Sequence, residues 1–192
     1  EVCRLDASRE VITAWSYGLA GCVYAAFAIY LAKGWRAGLR SRALFVAVAL
    51  CALWGLVGLA FALTGQQVFL IASLLADVLR FGGWYFFLLV LLKPDTHGIA
   101  SWPGRVRWLC VSAPLLVIVG LAAQVMAMLD VQFLIEPQRL ALFDSLAMTV
   151  FSLVLIEQLF RNVSPDWRWS IKPLCVGLGS AVLFDLYLYS DA

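Results

Sequence analysis

Glu157-Gln158-Leu159-Phe160-Arg161-Asn162, the short loop Val163-Ser164-Pro165-Asp166 and the turn Trp167-Arg168-Trp169-Ser170-Ile171-Lys172 follow one another near the end of the chain. Beyond them run Cys175-Val176-Gly177-Leu178-Gly179-Ser180 and then Phe184-Asp185-Leu186-Tyr187-Leu188-Tyr189-Ser190-Asp191. One apolar segment ends in a charged cluster, and a polar aromatic turn leads into a second apolar segment with a carboxylate, Asp185, near its far end. A charge inside an apolar span is costly, so each one marks a candidate functional position.

The same pattern extends over the whole chain. Of 192 residues, 64% are hydrophobic and 14% charged, against about 45–50% and about 25% in a soluble domain. The apolar residues fall in long blocks, and a spanning helix needs about 20 of them. Six segments qualify, at 11–32, 43–64, 68–92, 107–129, 139–160 and 171–190. The expected fold is all-α, a polytopic transmembrane bundle with short connections. The blocks are solidly apolar rather than alternating, which excludes a membrane β-barrel. Residues 1–10 read as a polar N-terminal tail and not as a signal peptide, because the apolar run after them is of spanning length and lacks a small-residue cleavage site. The sequence lacks an initiator Met and stops just past an apolar segment, so it reads as a piece of a longer protein, truncated at the C-terminus.

Short loops set orientation through their Lys/Arg bias. The first, third and fifth loops hold Lys33, Arg36, Arg40, Arg42, Lys93, Arg105, Arg107, Arg161, Arg168 and Lys172. The tail and the even loops hold only Arg4, Arg9 and Arg139. This predicts an N-terminus outside and odd loops in the cytoplasm. Trp35, Trp102, Trp108, Trp167 and Trp169 fall at the same ends, as an interfacial aromatic belt requires. A net charge of +2 gives no reason to expect a nucleic-acid partner.

Within the spans, Asp77 and Arg80 are three apart and share a helix face. Arg80 lies about 18 Å in from Val68, near mid-membrane, so it must face protein rather than lipid. Asp144 and Asp185 lie about 7 Å from the outer ends of their spans, with Gln124 at similar depth. Two readings stay open. The plainer is an ion pair that fixes helix register, with the other polar groups on separate neighbours or headgroups. The other is a pocket of Asp77, Arg80, Gln124, Asp144, Asp185 and Tyr189, open to the outer side, that senses a ligand or signal. Gly177 and Ala181 precede Asp185 at four-residue steps, a small-residue face suited to close helix packing. Tyr17, Gly21 and Tyr24 form a comparable face whose simplest use is core packing. Glu157 and Arg161 make an i,i+4 pair in the favourable order, an anchor at the cytoplasmic end. The five cysteines are scattered without metal spacing. His97, the only histidine, stands in a loop, and no GxGxxG, Walker A or HExxH pattern occurs. No catalytic residue, metal ligand or cofactor site is therefore expected in this stretch.

The motifs at 157–162, 167–172 and 185–191 resemble the N-terminal membrane region of the PrsK sensor histidine kinases of bacterial PEP-CTERM/exosortase systems. Trp15-Ser16-Tyr17-Gly18-Leu19-Ala20 and Gly34-Trp35-Arg36 are similar to the start of that family. The resemblance implies the input region of a two-component kinase in the bacterial inner membrane, linked to exopolysaccharide and protein sorting. It also implies a homodimer formed through a kinase region beyond Ala192, a cognate response regulator as partner, and ATP with Mg in that region only. The alternative is a small transporter or transporter subunit with a midplane polar site. Gly82-Gly83 and Pro114 would then be its helix breaks.

Overall fold

Leu, Ala, Val and Phe fill each apolar block, and a segment with no water around it must close its own N–H to C=O ladder. The computed structural model describes the backbone of residues 2–34, 38–92, 104–128, 137–162 and 165–190. Side chains are described there except at 2–10, 104–106, 127, 137–138, 140–141, 165–171 and 188–190. The described residues form α-helices: α1 (Val2–Lys33), α2 (Leu39–Thr64), α3 (Gln67–Leu92), α4 (Gly104–Met128), α5 (Pro137–Asn162) and α6 (Pro165–Ser190). Among the described residues five stretches are long and apolar enough to cross a bilayer, at Val11–Lys33, Leu39–Thr64, Gln67–Leu92, Arg107–Met126 and Leu142–Asn162. The chain is a helical membrane protein, and its exposed large apolar side chains, such as Trp15, Leu19, Phe143 and Phe184, suit acyl-chain contact.

Two helix starts differ from the sequence reading. Residues 2–10 continue α1 instead of forming a separate tail. Nothing in Val2–Glu10 is a Gly or Pro, and polar residues end a bilayer crossing without ending a helix. Likewise α6 begins at Pro165 and takes in the turn read at 167–172. Proline suits a first helical position because its missing N–H has no acceptor there. Helix α3 also runs unbroken through Gly82-Gly83 and α4 through Pro114, so neither is the helix break a transporter site would use.

The connection between α2 and α3 is two residues, Gly65 and Gln66. Gly65 takes φ 63°, ψ 8°, and its N–H bonds to the Phe61 carbonyl at 2.8 Å. That left-handed cap is the glycine-favouring end of a helix.

The chain divides into two compact units, Glu1–Gly83 and Trp84–Ala192. In the first, α1 and α2 pack antiparallel: Gly18 meets Leu59, Gly21 meets Gly55 and Leu56, and the Tyr17 ring covers Gly58. The buried face of α2 carries Ala43, Ala47, Cys51, Gly55 and Gly58, a stripe of small residues that admits neighbouring backbones. Gly83 of α3 lies over Ala47 on the same stripe. In the second unit, α5 buries Asp144, Met148, Ser152, Leu155 and Leu159, spaced as one helix face. The Tyr85 hydroxyl donates to the Met148 carbonyl at 2.6 Å, and its ring meets Phe151 edge-on at 5.1 Å.

Candidate functional site: two intramembrane polar centres

In the first unit, the i,i+3 spacing of Asp77 and Arg80 produces the expected ion pair, 2.9 Å between guanidinium and carboxylate, with side chains 20% and 13% exposed. The pair is not left to itself. The guanidinium carbon of Arg80 lies 4.3 Å from the centre of the Trp54 ring and 5.0 Å from that of Phe81. Tyr17 then meets Trp54 edge-on, with ring centres 5.2 Å apart and planes at 66°. The chain Asp77–Arg80–Trp54–Tyr17 thus ties α3 to α2 and α2 to α1. A cation over an indole face is held electrostatically, by about 2 kcal/mol or more when desolvated. The carboxylate and the aromatic faces together replace the hydration that Arg80 forgoes.

In the second unit, the Asp144 carboxylate packs onto the bare Cα of Gly120, so closely that a methyl group there would collide with it and with the Met148 methyl. Asp144 and Gln124 are both buried, and Gln124 lies one turn along α4 from Gly120. The Ser152 hydroxyl donates to the Met148 carbonyl at 3.0 Å, the same carbonyl that takes the Tyr85 hydroxyl. The Thr149 hydroxyl donates back to the Ser145 carbonyl at 2.7 Å.

The other sequence-predicted residues fall as follows. Asp185 is half-buried on α6, while the Tyr189 side chain and His97 lie outside the described residues. Glu157 and Arg161 pair at 2.7 Å on an exposed helix end. Tyr17 and Gly21 pack against α2 as read. Gly177 and Ala181 do not form a packed face: both are exposed, and a methyl on Gly177 meets nothing within 4 Å. Among the described side chains of α6 the buried one is Val182, with Cys175, Leu178 and Leu186 half-buried around it. That stripe is rotated away from Gly177. The sequence reading missed Trp54, Gly55, Gly120 and Tyr85. Gly55 and Gly58, three apart, carried a signal; the partner of a charge across a helix boundary did not.

A guanidinium–carboxylate pair, and likewise a buried carboxylate, can bind a polar group or exchange a proton inside the membrane. Among the described residues no group of three or more His, Cys, Asp or Glu could hold a metal ion. Helical spans built round intramembrane polar centres define a class, the polytopic membrane protein with charge buried among its helices. No family model, no curated protein and no solved structure matches the chain.

Proposed function

We propose that the chain is the membrane-embedded input region of a PrsK-type bacterial sensor histidine kinase. The observation that carries this is the Asp77–Arg80 pair under Trp54, a charge centre wired through three helices. A centre so connected couples any change in its own charge or contacts to helix position. Asp144 on Gly120 is a second such centre, in the other unit. The resemblance at 157–162, 167–172 and 185–191 supplies the class of output. In this reading α6 is the sixth span, the N-terminus lies outside, and odd loops face the cytoplasm of the bacterial inner membrane. A shift of α6, which carries Asp185, passes the signal to a dimeric kinase region that uses ATP and Mg and serves a response regulator.

The test uses the intact gene product in membrane vesicles with labelled ATP. Acid-labile phosphohistidine is expected in the wild type, with Arg80→Gln and Asp144→Asn altering its dependence on growth signal. No phosphohistidine in the wild type overturns the kinase assignment. Labelling untouched by either substitution overturns the role of the polar centres. Solute uptake by proteoliposomes of the chain would favour the transporter instead, a reading that unbroken α3 and α4 support less.

A further inference from the structure

Where α4 and α5 cross, a carboxylate oxygen of Asp144 rests against the bare Cα of Gly120, with the Met148 methyl beside it. Asp144 is buried, and so is Gln124 one turn along α4. The hydroxyls of this part of the unit are committed elsewhere. Tyr85 and Ser152 donate to the Met148 carbonyl, and Thr149 donates to the Ser145 carbonyl. A hydroxyl has one proton to give, so none of the three donates to the carboxylate. Among the described residues of this unit no cation faces the crossing. Arg107 stands at the opposite end of α4, and Arg161 and Lys172 flank the connection at 163–164. Arg139 is exposed, five residues before Asp144 and so about 140° round the helix. The other ionisable neighbours add no positive charge. The Tyr85 phenol of α3 feels the Asp144 charge. On α6, Asp185 is half-buried and Tyr187 exposed, both in the half remote from the 163–164 connection, as Asp144 is on α5. The half of α4 that holds Gly120 and Gln124 carries no ionisable residue.

We propose that Asp144 is a proton-binding site: its carboxyl seats on Gly120 as the neutral acid, and loss of the proton parts α4 from α5. Two features select this ligand. A carboxylate buried without a counter-charge is costly, and the group avoids that cost by holding its proton. The seat is also too close for anything larger to enter between the two helices, since even a methyl on Gly120 collides with the carboxylate. Asp144 lies near the start of the Leu142–Asn162 span and Gln124 near the end of Arg107–Met126, so the proton has a short path to the aqueous phase on that side. The ionised carboxylate regains its hydration only by leaving the Gly120 face, which separates the helices. The seated form holds one proton more than the parted form, so rising pH favours parting. This deepens the reading of Asp144 as a polar centre and does not depend on a kinase output, because it needs only α4 and α5 in a bilayer.

The experiment has two readouts on the chain in phosphatidylcholine bilayers, with no kinase assay in either. Infrared spectra near neutral pH are expected to show a carboxylic-acid C=O band that Asp144→Asn removes and Asp185→Asn leaves in place; the amide bands report whether each variant keeps its helices. Ala123 is buried on α4 one turn from Gly120, so Ala123→Cys, with the native cysteines replaced by Ala, reports the crossing by its rate of maleimide labelling. Dividing that rate by the rate in the same chain carrying Asp144→Asn, which cannot ionise, cancels the thiol's own pH dependence. The ratio is expected to stay near one at acid pH and to climb about tenfold per pH unit as the ionised fraction grows. No acid band sensitive to Asp144→Asn overturns the proposal, as does a band that Asp185→Asn removes instead. A labelling ratio that does not change with pH overturns the parting of the helices.

Discussion

Replacing Gly55 by Ala tests whether the α1–α2 seam is as tight as the geometry requires. A methyl on Gly55 would stand 2.7 Å from the Gly21 nitrogen and 2.8 Å from the Gly21 Cα. Those atoms are backbone and cannot rotate away. Carbon atoms rest at about 3.5–4.0 Å, so α1 must retreat by roughly 0.7 Å or more. A gap of that size forfeits about a quarter to a half of each dispersion contact along the seam. The expected net cost is about 1–3 kcal/mol, as for overpacked cores. The helical gain of Gly→Ala, about 0.5–1 kcal/mol, acts the other way, so a net loss is diagnostic. Cys51 is the reporter, being 1% exposed on the same face of α2. With the other cysteines replaced by Ala, its pulse labelling by a maleimide along a denaturant series gives the unfolding equilibrium. Gly18→Ala is the control in the same seam, because its methyl would meet only Leu59 side-chain atoms at 3.5–3.6 Å. Gly58→Ala should fall between the two, since what it strikes is the Tyr17 ring, which can swing. A Gly55→Ala protein as stable as Gly18→Ala would refute the close crossing.

Asp77→Asn leaves Arg80, 13% exposed, without its counter-charge and should cost about 3 kcal/mol, the low end for breaking a buried pair; Asp77→Asn with Arg80→Met should recover most of it, whereas additive losses in the same labelling assay would count against the pair. Gly120→Ala should destabilise the second unit through collision with Asp144, and Asp144→Ala should relieve that in a double-mutant cycle read by thermal unfolding in detergent. Tyr85→Phe should lose about 0.5–1.5 kcal/mol, one buried hydrogen bond. Ser152→Ala should lose less, because the Met148 carbonyl keeps the Tyr85 donor at 2.6 Å.

What could be read from the sequence was what happens within one helix. Five of the six apolar blocks matched stretches long and apolar enough to cross a bilayer, to within a few residues at most ends. Asp77 with Arg80, and Glu157 with Arg161, were readable because i,i+3 and i,i+4 neighbours meet whatever else the helix touches. Contacts between helices were not readable in the same way. A helix that is apolar all round shows no buried face in its pattern, so nothing marked Trp54 as the cover for Arg80 or Gly120 as the seat of Asp144. Gly177 and Ala181 show the converse error. Small residues permit close approach without requiring it, and α6 turns Val182 inward instead. Helix starts at Val2 and Pro165 were missed because the sequence marks where oil ends more clearly than where the backbone ladder ends.

The two-residue link at Gly65–Gln66 has a consequence for how the protein is made. A translocon must pass Arg80 into lipid, and a lone mid-membrane Arg costs about 2.5–3.5 kcal/mol on the insertion scale. Here the counter-ion is three residues upstream on the same helix, and Trp54 belongs to the segment synthesised just before it, joined by a two-residue reverse that suits entry as a hairpin. Both the counter-ion and the indole that cover the charge are therefore synthesised before any residue of α4.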